Sequence, residues 1–187
     1  GDVYTEFDRI SEPQNQPEVL DATGCIVAPG FIDIHIHGAN GTDFCDSTRE
    51  AHANIARYLA SVGVTSYLGT TMAMQKPVLL NMVRSANEFM DNPVENGAVM
   101  RGINLEGPFA AVEKKGAMDP NNLIDPDYDL FVELNEASGG RIRLNDVAPE
   151  KPGALDLIER TSEVCVVSLH HTSADYDLAK EAFFRGA

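Results

Sequence analysis

Three clusters of histidine and glutamate are the parts of this sequence with the clearest capacity for chemistry. The first is the pair His35 and His37, the second is Glu106, and the third is the adjacent pair His170 and His171. Imidazole and carboxylate are ligands for zinc and other first-row divalent ions. Such an ion polarises a carbonyl and lowers the pKa of a bound water toward about 7. These residue types therefore predict a metal-dependent hydrolytic site suited to amides or esters.

The spacing of the first cluster favours a shared metal ion. Successive side chains of a strand alternate between its faces, so His35 and His37 point the same way while Ile34 and Ile36 point the other. Glu106 ends an apolar run, where a carboxylate needs a positive partner. The alternatives are two strand histidines that only form hydrogen bonds and an exposed glutamate at the start of a loop.

Other catalytic classes find less support in the sequence. The three cysteines, Cys25, Cys45 and Cys165, lie far apart and form no CxxC pair, which argues against a disulfide framework or a zinc knuckle. There is no GxSxG, GxGxxG or GxxxxGK[ST] segment for a serine nucleophile, a dinucleotide or a P-loop. A reducing cytoplasm is the expected location.

Five short apolar runs alternate with amphipathic segments, which predicts strand–helix units and a parallel sheet. The predicted strands are 31–36, 65–68, 102–106, 142–147 and 164–169. The predicted helix starts are a Ser47–Glu50 capping box, Pro77, Asp125-Pro126, Lys151-Pro152 and a Thr172–Asp175 cap. The first twenty residues lack periodicity and are expected to be irregular or weakly extended.

Two architectures fit this α/β alternation, an open doubly wound sheet and a (β/α)₈ barrel. Both place their chemistry at the carboxyl ends of the strands. The three histidine and glutamate clusters fall at those ends. The pattern therefore predicts one site assembled from three separate strands.

Composition narrows the range of partners. The 187 residues, 43% of them hydrophobic, are enough for one globular domain. Fourteen basic against 29 acidic side chains give a net charge of −15, which opposes nucleic-acid binding. No apolar run reaches the roughly 18 to 20 residues of a membrane span. An anionic ligand would have to be held locally; Lys114 and Lys115 are candidates, with solvated loop lysines as the alternative.

Longer motifs carry a resemblance to a known family. The segment Pro29–Gly38 (PGFIDIHIHG) resembles the opening barrel strand of the amidohydrolase superfamily. LEGPF at 105–109, KKGA at 114–117 and APE at 148–150 resemble the N-acetylglucosamine-6-phosphate deacetylase family within it. The resemblance, from about Thr23 onward, implies the first five βα units of a TIM-type (β/α)₈ barrel at 29–187. It also implies that residues 1–28 belong to a small β-sandwich domain.

The resemblance further implies a reaction and its residues. The expected reaction is hydrolysis of N-acetylglucosamine 6-phosphate to glucosamine 6-phosphate and acetate, by metal-activated water. The implied metal ligands are His35, His37, Glu106 and His171, for one or two ions of zinc, iron or another first-row metal. Ala117 is expected to contact the amino-sugar phosphate through its backbone. A general acid/base aspartate is expected beyond the last residue, and the family suggests a homodimer.

Three positions depart from the family pattern. Met118 and Asn104 stand where many members have histidine, and His170 stands where glycine is usual, so His170 competes with His171 as a ligand. Two other functions stay open at this point: a superfamily enzyme that cuts a cyclic amide or a dipeptide, and a non-catalytic fragment with an open sheet edge.

Overall fold

A computed structural model describes residues 20–187 and, before them, only two short strands. These are Thr5–Glu6 and Arg9–Ile10, which pair antiparallel. The rest of the front segment, for which we expected irregular structure, lies outside the described residues. The assignment of 1–28 to a small β-sandwich domain and of 29–187 to the barrel therefore stays a prediction.

The central element is a five-stranded parallel sheet with a helix after each strand. Its strands are β1 (Phe31–Ile36), β2 (Val64–Thr70), β3 (Val99–Leu105), β4 (Ile142–Val147) and β5 (Val166–Leu169). Its helices are α1 (Arg49–Ser61), α2 (Lys76–Asp91), α3 (Tyr128–Ala137), α4 (Ala154–Thr161) and α5 (Tyr176–Phe184). A short hairpin pairs Gly38–Ala39 with Thr42–Asp43 between β1 and α1.

The strand order decides between the two predicted architectures. Each strand pairs in parallel with the next one along the chain, in the order β1-β2-β3-β4-β5. A doubly wound sheet reverses its order at a switch point, whereas a barrel adds its strands in sequence. The order therefore confirms five consecutive βα units of a (β/α)₈ barrel, and the open doubly wound alternative is wrong.

The core lies where helices cover the sheet. Ile103 and Leu105 on β3 and Ile142 on β4 are fully buried, and Leu79 and Phe131 bring α2 and α3 onto the same cluster. The last four residues of β3 are all buried, as expected for a central parallel strand that is covered on both faces. This packing fixes the strand ends on which the candidate site stands.

The helix starts differ from the sequence prediction by one to three residues. Pro77 does lie in the first turn of α2. The other four N-caps lie further along the chain than predicted, because the backbone keeps non-helical angles up to these residues. They are Thr48 for α1, Asp127 for α3, Gly153 for α4 and Asp175 for α5. Thr172 does not cap α5 and instead donates its hydroxyl to Glu150.

The two outer strands leave apolar side chains in contact with solvent. Phe31 and Ile32 on β1 are 72% and 73% exposed, and Val166 on β5 is 65% exposed. Each of these strands has one neighbour in the part of the sheet that the structure describes. Within 20–187, no helix has the length and apolar character that crossing a membrane would require.

Candidate metal centre

The carboxyl ends of β1, β3 and β5 bring the three predicted clusters to one place. His35 and His37 stand at the end of β1, Glu106 follows the last residue of β3, and His170 and His171 follow β5. Glu106 is buried, with a side chain only 3% exposed, and all four imidazoles lie around it. The predicted convergence of three strand ends is therefore observed.

One oxygen of Glu106 lies between the two histidines of β1. Oε2 is 2.9 Å from His35 Nε2 and 2.8 Å from His37 Nε2, and the two nitrogens are 3.3 Å apart. Two imidazole nitrogens bound tetrahedrally at 2.0 to 2.1 Å from one zinc ion would be separated by about 3.3 Å. The spacing of this pair thus suits a shared tetrahedral cation.

The other oxygen of Glu106 faces the β5 pair. Oε1 is 3.0 Å from His171 Nε2 and 3.6 Å from His170 Nδ1. The Nδ1–H of His171 donates to the carbonyl of Lys114. In a neutral imidazole with that tautomer, Nε2 carries a lone pair and therefore faces Glu106 as a second acceptor. A proton or a cation between the two atoms is needed to make the contact favourable.

The electrostatics of the pocket keep Glu106 ionised. Burial raises the pKa of Glu106, but the His37 hydrogen bond and the charges of nearby imidazoles outweigh it, so the pKa lies below its usual range. The same hydrogen bond raises the pKa of His37, against the effect of its burial. Burial lowers the pKa of His170, which favours the neutral imidazole that a metal requires.

Contacts made by the Glu106 backbone and by Gly107 hold Glu106 in position. Its carbonyl accepts a hydrogen bond of 2.8 Å from the hydroxyl of Thr71. The next residue, Gly107, has φ +120°, and a Cβ there would lie 2.7 Å from the Cα of Ala73. Only glycine fits that close approach between the β3 and β2 ends. The glycine of the LEGP motif therefore turns the chain so that the carboxylate enters the site.

Several side chains of the site bring donor atoms close enough together to hold a divalent cation. Three groups of three side chains each place one donor atom within 4.8 Å of the others. They are His35–His37–Glu106, His35–Asp146–His170 and Glu106–His170–His171. All of them combine imidazole with carboxylate, the set that suits zinc and other first-row ions.

Comparison with known proteins identifies relatives that share this arrangement of strands. No protein-family model matches the chain. The N-acetylglucosamine-6-phosphate deacetylase of Bacillus subtilis strain 168 is 31% identical over 188 residues, which cover 99% of this chain and 47% of that protein. The N-acetyl-D-glucosamine-6-phosphate deacetylase of Mycobacterium smegmatis superposes with a TM-score of 0.85 at 27% identity, over 99% of this chain and 49% of that one.

The chain is homologous to the N-acetylglucosamine-6-phosphate deacetylases. It spans about half the length of the relatives it matches. A mutant of the Mycobacterium smegmatis deacetylase, solved in complex with N-acetyl-D-glucosamine-6-phosphate, superposes with a TM-score of 0.80 at 29% identity, over 85% of this chain and 41% of that one. The resemblance read from the LEGPF and KKGA motifs is thereby confirmed.

The deacetylase motif KKGA forms a loop beside His171. Ala117 is exposed in this loop, and a Cβ on its neighbour Gly116 would lie 3.3 Å from His171 Cε1. Lys115 folds back on the same loop and donates to the carbonyl of Met118 at 3.0 Å. Lys114 is exposed at the end of a short turn. The predicted substrate residue Ala117 thus follows the loop residue that approaches His171, the histidine whose ring the Lys114 carbonyl orients.

The three departures from the deacetylase pattern have defined places. Asn104 is fully buried, and its Nδ2 lies 3.3 Å from the Ile34 carbonyl and 3.4 Å from His35 Nδ1, so it contacts the ring on the side away from Glu106. Met118 is buried with Ala73 beneath the KKGA loop. His170 lies inside the pocket, where glycine would leave space.

Two site residues were not predicted from the sequence. Asp146 is buried near the end of β4, and burial raises its pKa to about 6. The sequence feature that could have indicated Asp146 is a charged residue within an apolar strand that ends at the site. Glu150 accepts hydrogen bonds from the Ser173 backbone N–H and the Thr172 hydroxyl, which anchors the loop after His171. The APE motif contained Glu150, but nothing in its spacing indicated these partners.

Proposed function

We propose that this chain supplies the metal-binding part of an enzyme that removes the acetyl group from N-acetylglucosamine 6-phosphate, giving glucosamine 6-phosphate and acetate. The observation that carries the proposal is the convergence of four imidazoles on the buried carboxylate of Glu106. The homology to deacetylases and the fold shared with them support the substrate.

The proposed metal ligands are His35, His37, Glu106 and His171. The lone pair of His171 Nε2 faces a carboxylate oxygen, and the two β1 nitrogens have the separation of neighbouring ligands. When bound, the cation supplies Lewis-acid polarisation of the acetamide carbonyl and of a water molecule. Zinc, iron or another first-row ion suits this donor set, with one or two ions in the pocket.

Neighbouring groups then keep these ligands in the protonation states that bind a cation. The backbone carbonyl of Lys114 accepts a hydrogen bond from the Nδ1–H of His171, which leaves the Nε2 lone pair free to bind. Burial of Glu106 excludes water from the carboxylate, so its charge is less screened than on the surface. Both effects raise the affinity for a cation above that of exposed side chains.

Substrate contact is proposed at the KKGA loop. Ala117 is exposed in the loop whose Gly116 approaches His171, which suits a backbone hydrogen bond to the amino-sugar phosphate. A general acid/base aspartate beyond Ala187, a homodimer and a cytoplasmic location stay predictions.

The proposal is tested by acetate release in the protein that carries this chain. The purified protein, wild type or Glu106→Gln, is incubated with N-acetylglucosamine 6-phosphate before and after treatment with a chelator. We expect the wild type to release acetate, to stop after chelation and to recover with Zn²⁺. The Glu106→Gln variant should lose at least about 100-fold in metal affinity, and its activity with it.

A matched control is His52→Gln, which changes the one histidine outside the site. A metal-loaded wild type that releases no acetate from this substrate, but cuts a cyclic amide or a dipeptide, would contradict the proposal.

A further inference from the structure

Two acidic side chains are buried among the described residues, Glu106 and Asp146. Glu106 has imidazoles close to both oxygens. Asp146 has only the hydroxyl of Ser168, its neighbour on β5, as a weak hydrogen-bond donor, and neither of its oxygens makes a hydrogen bond of good geometry. An ionised carboxylate taken out of water without a partner carries a large desolvation cost. A positive group beside Asp146 would therefore offset a cost that the Ser168 hydroxyl offsets only in part.

Two imidazoles lie close to Asp146. His170 Nδ1 lies 3.7 Å from Asp146 Oδ2 and has no hydrogen-bond partner. His35 lies close to His170, with ring centroids 5.4 Å apart. One donor atom from each of the three residues lies within 4.8 Å of the others.

These distances suit a cation better than direct hydrogen bonds. A separation of 3.7 Å is too long for a hydrogen bond between His170 and Asp146. One ion that binds both atoms at about 2.0 to 2.2 Å can span up to about 4 Å between them. Two imidazoles and one carboxylate also form a ligand set of catalytic zinc sites, which keep a further position open.

We propose that Asp146 is a metal ligand, and that it binds a divalent first-row cation together with His170 and His35. This position lies beside the His35–His37–Glu106 group, and both groups include His35. A neutral imidazole has one lone pair, so His35 binds an ion at one of the two positions at a time. The proposal rests on the proposed function because it concerns the same pocket. It goes further by assigning an anionic ligand from β4 and a role for His170.

The test is a titration of the metal-free protein with Co²⁺ alone. The visible absorption of bound Co²⁺ reports affinity during the titration and the ligand set at saturation. The variants are Asp146→Asn, which keeps the shape and removes the charge, and Glu106→Gln. His52→Gln is the control histidine variant. We expect Asp146→Asn to weaken Co²⁺ binding about 100-fold and to change the spectrum at saturation.

The outcomes separate this proposal from the proposed function. Wild-type affinity and spectrum in Asp146→Asn, with binding lost in Glu106→Gln, would overturn the role of Asp146 and leave the deacetylase centre intact. Weaker binding with a wild-type spectrum at saturation would also overturn it, because Asp146 would then act through its charge alone. Wild-type binding in both variants would overturn both proposals.

A second measurement does not depend on the folding of any variant. Crystals of the wild-type protein loaded with Co²⁺ are examined for anomalous scattering at the cobalt absorption edge. We expect a peak within about 2.2 Å of an Asp146 oxygen and of a nitrogen of His170. Peaks only at Glu106, with Asp146 beyond bonding distance, would refute the proposal.

Discussion

His52 gives a pH-dependent stability that is independent of the metal centre. Its side chain is completely buried on α1, with ring centroids 5.1 Å from Phe44 and 5.5 Å from Phe89. Nε2 lies 3.0 Å from the hydroxyl of Ser85, and Nδ1 has no partner. Burial lowers the pKa of His52 from 6.5 to about 4. The folded protein therefore keeps this imidazole neutral.

The size of the effect follows from that difference in pKa. Between pH 6.5 and pH 4 the unfolded chain binds a proton at this histidine that the folded chain does not. The free energy of unfolding therefore falls as the pH falls through this window and levels off below it. The pKa difference of about 2.5 corresponds to about 3 kcal/mol in total, and to about 2 kcal/mol at pH 5.

The assay is urea denaturation of the metal-free protein at a series of pH values between 7.5 and 4. The comparison variant is His52→Gln, whose amide does not titrate and can reach the same serine. The wild type should lose about 2 kcal/mol more than the variant between pH 7.5 and pH 5. Because all other groups titrate in both proteins, parallel curves would refute the account of His52.

Two further substitutions, each with a control variant, test the contacts that hold the site in place. Gly107→Ala should destabilise the fold by at least about 3 kcal/mol and abolish zinc binding, because its Cβ meets the backbone of Ala73 at a positive φ. The control is Gly140→Ala, because Gly140 also has a positive φ but open space around it. Thermal denaturation should show that this variant loses only about 1 kcal/mol of unfolding free energy. An equal loss in the Gly107 and Gly140 variants would contradict the argument. Glu150→Gln should weaken Zn²⁺ binding about 10-fold in isothermal titration, since the loop after His171 loses its anchor. Glu159→Gln, which removes an exposed ion pair, should leave Zn²⁺ affinity and stability within about 0.5 kcal/mol of wild type.

The fold could be predicted from the sequence because its signals are local and repeated. Apolar runs such as 31–36 and 142–147 gave strand bounds that match the structure. Alternation of strands and helices indicated a parallel sheet, but it did not distinguish a barrel from a doubly wound sheet. That difference depends on which strands become neighbours, a long-range property that periodicity does not contain. Helix starts were placed too early because capping depends on local backbone angles, such as φ 51° at Ser47.

The candidate site was predictable where its residues form short motifs at strand ends. His35 and His37 share a strand face, and Glu106 ends an apolar run, so their convergence followed from the parallel sheet. Asp146 was missed because its significance depends on what packs around it. The local sequence LNDV at 144–147 does not show whether hydrogen-bond donors will contact the Asp146 carboxylate. The role of Glu150 was likewise set by a tertiary contact across 22 residues of chain.

The zinc content of the purified protein tests the central claim most directly. The wild type and the variants Glu106→Gln and His52→Gln are loaded with Zn²⁺, dialysed and measured by elemental mass spectrometry. The convergence of four histidines on Glu106 predicts that the wild type and His52→Gln retain about one zinc ion per chain or more, and that Glu106→Gln retains almost none. A zinc-free wild type, or a Glu106→Gln variant as fully loaded as the wild type, would contradict the existence of this metal centre.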